Sequence, residues 1–301
     1  MKILISGSHG LIGTALAETL EREGFVVGRL VRRREEAGGA NIYWNYEDRQ
    51  IDRDRLEGWD AVVHLAGENI AVRRWTEARK ARLLNSRKEG TFYLALALSA
   101  LHRKPRTLVS ASATGYYGDS GDKALNESAP PGRGFLAHVC QEWEAAARPA
   151  ASAGIRVVHP RLGVVLSAKS GALAKMLPAF RWGLGGRLGH GRQYMSWIHI
   201  QDAVQAIIFL ITNRSLSGPV NVTAPRPVEN REFTRTLGRV LGRPAIMPVP
   251  AALMRLAFGQ MAAETMLASN RVLPSLLQQA GFVFQFPELE PALRDLLNTS
   301  R

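Results

Sequence analysis

Short apolar runs alternate with longer stretches of helical period through the first 160 residues or so. The apolar runs predict strands at residues 2–6, 25–31, 42–44, 61–65, 107–111 and 155–159. The stretches between them predict helices at 11–23, 76–101 and 137–153. Strands that alternate with helices of this length form a parallel sheet with both faces covered. The pattern therefore predicts an α/β fold with a Rossmann-type, doubly wound parallel sheet.

The alternation ends after Arg161, where glycine and proline become frequent. This change predicts a smaller, mixed α/β C-terminal region that contacts the substrate. We expect a dinucleotide-binding Rossmann domain over 1–165, to which parts of 190–225 return, and the smaller region over 166–301. A cleft between the two regions would hold the substrate.

Composition excludes several classes of protein. The chain has 301 residues, of which 46% are apolar and 22% charged, so it can bury a large core. Cys140 is the one cysteine, which rules out an intrachain disulfide and favours a reducing compartment, the cytoplasm. No run approaches the 18 or so apolar residues of a membrane span, and no membrane partner is expected.

The net charge of +13, from 39 Lys and Arg against 26 Asp and Glu, is spread along the chain. Nucleic-acid-binding proteins usually concentrate such an excess in a tail, arm or stripe. We therefore expect an anionic small-molecule substrate and no nucleic acid. The sequence leaves open whether the protein is a monomer or a homodimer.

A glycine-rich turn separates the first predicted strand from the first predicted helix. It consists of Gly7, Ser8, His9, Gly10, Leu11, Ile12 and Gly13. Such a turn lets backbone amides approach a diphosphate at the positive end of the helix. Three glycines alone also fit a purely structural turn, but the strand before and the helix after favour cofactor binding.

The end of the second predicted strand indicates which dinucleotide binds. Selection of NAD usually places a carboxylate there, about 20 residues on, against the ribose 2′-hydroxyl. This chain has Arg32 and Arg33 instead, and a guanidinium can hold a 2′-phosphate by charge-assisted hydrogen bonds. We predict NADP as cofactor, with Arg32 the primary contact and Arg33 the secondary one. The alternative is a solvated basic turn.

Several motifs together resemble the extended short-chain dehydrogenase/reductase superfamily and, within it, the YfcH-like branch of NAD(P)-dependent epimerase-family proteins. The glycine turn is one of them. The others lie at residues 64–70 (HLAGENI), 110–118 (SASATGYYG), 191–202 (GRQYMSWIHIQD) and 218–222 (GPVNV). Residues about 245–299 resemble the small C-terminal domain of that branch. The resemblance covers nearly the whole chain and names no substrate.

The resemblance implies roles for matching residues. Leu65, Ala66 and Gly67 would lie along the cofactor, and Ser112 matches the active-site serine that binds a substrate carbonyl or hydroxyl. The superfamily's acid–base pair, a Tyr with a Lys four residues later, is absent, because residues 132–153 contain neither residue type. Tyr116 and Tyr117 are the candidate replacements, against packing roles for both.

Four further polar or ionisable residues have weaker or structural roles in the sequence-based prediction. His138 is a weaker candidate for proton transfer and fits a helix surface better, and Cys140 fits a small buried residue. We expect Asp202 to cap a helix and His199 to support it. No metal site is predicted, because no metal-binding spacing of Cys and His occurs. The predicted substrate contacts are Trp75, Arg87, Arg161 and Trp197, and a solvated arginine on the helix surface is the alternative for Arg87.

The sequence as a whole predicts an NADP(H)-dependent oxidoreductase or epimerase-like enzyme, acting on a small carbonyl or alcohol. Since the Tyr–Lys pair is missing, an alternative remains open. In that alternative the protein binds NADP(H) with little or no catalysis and acts as a redox-responsive interaction protein.

Overall fold

A computed structural model describes residues 1–71 and 74–298. Its strands are β1 (Lys2–Ser6), β2 (Val26–Val31), β3 (Asn41–Asn45), β4 (Gln50–Ile51), β5 (Ala61–His64), β6 (Thr107–Ser110), β7 (Ser112–Ala113), β8 (Ala124–Leu125), β9 (Arg156–Leu162), β10 (Val164–Leu166), β11 (Tyr194–Met195), β12 (Trp197–His199), β13 (Gly218–Val222), β14 (Val228–Glu229) and β15 (Arg271–Val272). Its helices are α1 (Leu11–Arg22), α2 (Glu77–Ser99), α3 (Phe135–Ala145), α4 (Arg148–Ser152), α5 (Gly171–Arg181), α6 (Ile200–Thr212), α7 (Asn230–Leu241), α8 (Ala251–Phe258), α9 (Gln260–Thr265), α10 (Ser275–Gln279) and α11 (Leu289–Leu296).

The central sheet has the order β13-β9-β6-β5-β1-β2-β3-β4, with the short β7 also paired to β9. Every pairing in it is parallel except that of β3 with β4. The chain winds outward from β1 in both directions, so β1 and β5 lie side by side at the centre. Ligands of open parallel sheets bind beyond the carboxyl ends of such central strands. The candidate site residues after β1, β5 and β6 all lie at this edge.

Alternating side chains of the central strands enter two separate cores, one on each face of the sheet. On one face, Leu4 and Val62 pack with residues of α2, such as Leu94. On the other face, Ile5 packs with residues of α1 and α6, such as Leu16. This two-sided burial explains why the strands are almost continuously apolar in sequence.

The helix expected over 137–153 is two helices in the structure, α3 and α4. Pro149 lies in the first turn of α4, where a missing N–H costs nothing, but within a continuous helix it would lose a hydrogen bond. The prediction of a single helix was therefore wrong at this point.

The C-terminal part of the chain has a third core, made by α5, α7 and α11, with Leu177, Phe233 and Leu293 among its buried residues. It is tied to the sheet by Asp202 in the first turn of α6. The Asp202 carboxylate accepts hydrogen bonds from the backbone amides of Gln285 and Phe286 at 2.8 and 2.9 Å.

Asp202 was expected to cap its own helix, and that expectation was wrong. The N-cap of α6 is His199, whose Nδ1 accepts from the amide of Gln201 at 3.1 Å. Asp202 instead closes a contact between two distant segments. Within residues 1–71 and 74–298, no helix is long and apolar enough to cross a bilayer.

Candidate functional site

The glycine turn after β1 is shaped by two close backbone approaches. Gly7 has a φ of +69°, and a Cβ there would lie 2.8 Å from the amide nitrogen of Ala66. A Cβ on Gly13 would lie 2.2 Å from the carbonyl oxygen of Gly7. Both positions therefore require glycine, and the turn is pressed against the segment after β5.

The N-terminus of α1 fits a diphosphate group. Its N-cap, Gly10, supplies no side-chain hydrogen bond, and its first turn has no acidic residue. The hydroxyl of Ser8 is buried without a hydrogen-bond partner in the described part of the chain. Free amides, a positive helix end and an unsatisfied buried hydroxyl together match an anionic ligand. His9 lies exposed in the same turn.

The loop after β5 is held to the glycine turn by a buried hydroxyl. Ser6 Oγ accepts from the amides of Leu65 and Ala66 at 3.2 and 3.3 Å and lies 2.6 Å from Nδ1 of His64. The other ring nitrogen of His64, Nε2, is buried without a hydrogen-bond partner among the described residues. Burial lowers the pKa of His64 to about 4, so the ring stays neutral at physiological pH.

Arg87 lies beneath the next part of this loop. Its guanidinium donates to the carbonyl oxygens of Leu83 and Glu68 at 3.1 and 3.0 Å, and its Cζ lies 4.9 Å from the ring centre of Trp143. A Cβ on Gly67 would lie 3.3 Å from the same Cζ. Burial lowers the pKa of Arg87. Arg87 thus supports the loop at 67–68 from below.

The arginines after β2 differ in their surroundings. Arg32 and Arg33 are exposed, and Arg33 has a long contact of 3.8 Å with Glu36. Arg34 stacks on Tyr43 at 4.4 Å and donates to Gln50. Arg32 is the first residue after the strand and lies at the same sheet edge as the glycine turn.

Ser112 belongs to a buried network that the sequence did not reveal. Its hydroxyl donates to Oε1 of Glu144 on α3 at 2.7 Å. Arg161, at the end of β9, pairs with both carboxylate oxygens of Glu144 at 2.8 and 2.9 Å. Burial alone would lower the pKa of Arg161, but hydrogen bonds and the charge of Glu144 outweigh it and raise that pKa.

The two candidate tyrosines follow Ser112 in a 3-10 turn (Thr114–Tyr117) and have different environments. Tyr117 is buried, and its hydroxyl accepts from Arg161 at 2.9 Å and donates to Asn221 at 2.7 Å. Burial raises the pKa of Tyr117, an effect that Arg161 partly opposes. Tyr116 is half-buried, and its ring lies against the Arg161 guanidinium at 3.4 Å.

The α3 positions beneath this turn are apolar. Leu136 and Cys140 both lie below Gly115, where an added Cβ would be 3.3 Å from Leu136 Cβ and 3.8 Å from Cys140 Sγ. Burial, together with the nearby Glu144, raises the pKa of Cys140 to about 11, so the thiol stays protonated. His138 is exposed on the same helix.

The start of α3 is completed by a residue from far along the chain. Gly134 offers no side-chain cap, and the carboxylate of Glu264 accepts from the amides of Phe135 and Leu136 at 3.1 and 2.8 Å. The helix that carries Glu144 therefore depends on α9 for its N-terminal hydrogen bonds.

Three of the four expected substrate contacts are largely inaccessible. Trp197 is fully buried in the third core and donates from Nε1 to the carbonyl oxygen of Arg226 at 3.0 Å. The Arg161 guanidinium pairs with Glu144, donates to the Tyr117 hydroxyl and lies against the Tyr116 ring. Trp75 is buried against Met261. Trp197 and Arg161 are therefore buried and hydrogen-bonded here, and their direct contact with a substrate stays a prediction.

Sequence reasoning missed Glu144 and Glu264. A partial signal was available, because an arginine inside an apolar strand must be hydrogen-bonded or paired, although the sequence does not say by which group. Nothing in the sequence pointed to Glu264. Among the residues that the model describes, no group of three or more His, Cys, Asp or Glu side chains could hold a metal ion.

The sheet order, the glycine turn after β1 and the serine after β6 define a Rossmann-fold protein of the extended short-chain dehydrogenase/reductase type. The chain belongs to the NAD dependent epimerase/dehydratase family, whose model matches residues 3–223. Residues 249–296 match a second model, described as a domain of unknown function, DUF1731. The predicted resemblance and the predicted fold class are thus confirmed.

Relatives match over nearly the full chain. Epimerase family protein Mb2239 of Mycobacterium bovis is 46% identical over 291 residues, covering 97% of this chain and 96% of that protein. The crystal structure of human epimerase family protein SDR39U1 (isoform2) with NADPH superposes with a TM-score of 0.91 at 34% identity, covering 99% of each chain. A nucleoside-diphosphate sugar epimerase from Corynebacterium glutamicum has a TM-score of 0.82 at 34% identity, covering 99% of this chain and 58% of that one.

Proposed function

We propose that this protein is an NADP(H)-dependent oxidoreductase or epimerase-like enzyme acting on a small, anionic carbonyl or alcohol substrate. The observation that carries the proposal is the open N-terminus of α1, with the unsatisfied Ser8 hydroxyl beside it and Arg32 at the same sheet edge. The NADPH in the human SDR39U1 structure supports the choice of cofactor.

The cofactor would be held along one edge of the sheet. The amides of residues 7–13 would bind the diphosphate, the segment Leu65–Ala66–Gly67 would lie beside the ribose, and Arg32 with Arg33 would bind the 2′-phosphate. NADP(H) supplies or accepts the hydride when it is bound. The protein's part is to position the substrate and to move one proton.

Ser112 is the proposed substrate contact, and Glu144 sets its orientation. Because its one proton is donated to Glu144, the Ser112 hydroxyl can act toward a substrate only as an acceptor, through a lone pair. In this orientation Ser112 accepts a hydrogen bond from a substrate hydroxyl. We propose that Ser112 in this orientation binds the alcohol form of the substrate, and that its hydroxyl must rotate away from Glu144 to donate to the carbonyl form.

Between the two tyrosines, the environments favour Tyr116 as the proton carrier. The Tyr117 hydroxyl is engaged by Arg161 and Asn221, and its raised pKa disfavours ionisation near neutral pH. Tyr116 is half-buried, and its ring rather than its hydroxyl contacts Arg161, at 3.4 Å. We propose that Tyr117 holds the Arg161 guanidinium in position through its hydroxyl.

Two further residues would shape the substrate pocket. Arg87 and Trp75 both belong to the support of the loop after β5, where Lys175 of α5 also donates to the carbonyl oxygen of Ala71 at 2.8 Å. We propose that Arg87 and Trp75 act by positioning this loop. The cationic groups around it favour an anionic substrate.

The test of cofactor choice is an equilibrium titration of the cofactor-free protein with NADPH and NADH, followed by nicotinamide fluorescence. Arg32→Ala is expected to lower the NADPH-to-NADH affinity ratio by about tenfold or more, the equivalent of ~1.4 kcal/mol. Arg34→Ala is the matched control, because Arg34 already stacks on Tyr43. An unchanged ratio in Arg32→Ala would show that the turn is only a solvated basic segment.

A second candidate function rests on the absence of Tyr and Lys from residues 132–153. In this alternative the protein binds NADP(H) with little or no turnover and acts as a redox-responsive interaction protein. Tight NADPH binding without cofactor consumption across a broad panel of alcohols and carbonyls would favour it. We propose a cytoplasmic location for either function, since the single cysteine is buried and unpaired by disulfide.

A further inference from the structure

Of the large apolar side chains that are exposed in residues 166–298, we group six as the C-terminal apolar surface. They are Trp182, Leu184, Ile246, Met247, Leu253 and Leu256. Trp182 is 82% exposed, Ile246 78% and Leu256 73%. Side chains exposed to this degree project into solvent and do not line a groove. Single exposed apolar residues are ordinary, whereas a group of them marks an interaction surface.

Backbone contacts bring these residues together. The segments 182–189 and 244–249 run side by side, joined by hydrogen bonds from the Met247 amide to the Gly185 carbonyl oxygen and from the Val249 amide to that of Arg187, at 3.1 and 2.9 Å. Helix α8 starts immediately afterwards, and a Cβ on Gly189 would lie 3.4 Å from the Cβ of Ala251. The apolar residues therefore occupy one continuous region.

The exposure is built into the fold. In α8 only Met254 is buried, so Leu253 and Leu256 are left outside the core. The segment at 185–187 is fixed so closely that a Cβ on Gly186 would lie 1.6 Å from the Met247 carbonyl oxygen.

The two segments that carry this surface have charges of one sign. Residues 181–192 and 243–263 contain five arginines and no Asp or Glu. Those nearest the apolar side chains in sequence are Arg181, Arg243 and Arg255, all exposed. In the described part of the chain, none of these three has a carboxylate within 4.0 Å.

We propose that the C-terminal apolar surface docks peripherally on an anionic lipid bilayer. Projecting Trp and Leu side chains suit the headgroup region, where a tryptophan keeps its ring in the apolar layer and its N–H at the polar boundary. Arginines at the rim complement anionic headgroups. This proposal revises the sequence-based expectation of no membrane partner and is independent of the proposed enzymatic function.

A second copy of this chain fits the surface less well. In a symmetric dimer the same patch faces itself, so the unpaired arginines would be brought against each other with no carboxylate between them. An acidic protein is the remaining alternative. Binding to a second copy and binding to an acidic protein would each give a different result from membrane docking in a vesicle-binding experiment.

The test is co-sedimentation of the full chain with vesicles of phosphatidylcholine alone and of phosphatidylcholine with 30% phosphatidylglycerol. The double variant Trp182→Ser with Ile246→Ser is expected to lower binding to the anionic vesicles at least tenfold. Val283→Ser is the matched control, because Val283 is 84% exposed but lies outside the C-terminal apolar surface. Raising the salt concentration should weaken binding of the unmodified chain.

Circular dichroism and NADPH titration of each variant check that the fold is retained. Weak binding to both vesicle types by the unmodified chain would overturn the proposal, as would equal losses in the double variant and in Val283→Ser. Concentration-dependent dimerisation that disappears in the double variant, without vesicle binding, would assign the surface to a second copy. Binding to an acidic protein column without vesicle binding would assign it to a protein partner.

Discussion

The pair formed by Glu144 and Arg161 gives the sharpest stability prediction. The Arg161 and Glu144 side chains are 3% and 14% exposed, and they share two charge-assisted hydrogen bonds. Glu144→Gln keeps the shape but removes the negative charge, which leaves the Arg161 cation buried with only a neutral partner. Removal of one partner of a buried pair typically costs about 3–5 kcal/mol. Because glutamine retains one acceptor, we expect about 3 kcal/mol, the lower end of that range.

The same helix provides a matched control. Glu142 pairs with Lys88 at 2.6 Å, but these side chains are 32% and 51% exposed. An exposed pair contributes about 0–1 kcal/mol, so Glu142→Gln should be nearly neutral. Urea unfolding at pH 7 measures both variants, and 1 M salt should reduce only the contribution of the exposed pair. Equal losses of unfolding free energy in the two variants would refute the argument that burial controls the strength of this pair.

Three further predictions concern the turn, the buried histidine and the tyrosines. Gly13→Ala should abolish NADPH binding measured by fluorescence, because the new Cβ would lie 2.2 Å from the Gly7 carbonyl oxygen. The folded-state pKa of His64 is lowered to about 4 by burial, so below pH ~6.5 the unfolded chain binds the extra proton first. Unfolding free energy should then fall by up to about 3 kcal/mol between pH 6.5 and 4, and His64→Gln should flatten that part of the profile. Tyr116→Phe should reduce turnover with little change in stability, whereas Tyr117→Phe should mainly lower stability, by about 1–3 kcal/mol in urea unfolding.

The strands and helices of the sheet domain could be predicted because each one depends on residues that are neighbours in sequence. A buried strand followed by a glycine turn and an amphipathic helix carries its own period and spacing, and β1 has the predicted bounds. The break between α3 and α4 was visible in principle, since Pro149 interrupts the helical pattern. The alanines on both sides of Pro149 favour a helix, and this is why one continuous helix was predicted.

The candidate site was less predictable, because its key contacts join residues far apart in sequence. Arg161 looked available for substrate, and only the fold places Glu144 and Tyr117 around it. Trp197 was predicted near the substrate because it follows a glycine-rich loop, yet it lies in a core. Whether a polar group faces solvent or a partner depends on tertiary contacts that periodicity does not encode.

The Glu264 cap on α3 has a consequence for the order in which the chain can mature during synthesis. The helix beginning at Phe135 lacks a side-chain cap of its own, and its acceptor is made about 130 residues later. At the usual elongation rates of about 5–20 residues per second, that delay is on the order of ten seconds. For that interval α3, which carries Glu144 in its last turn, has an uncapped N-terminus at Phe135. The Ser112–Glu144 contact therefore gains its full support only when nearly the whole polypeptide has left the ribosome.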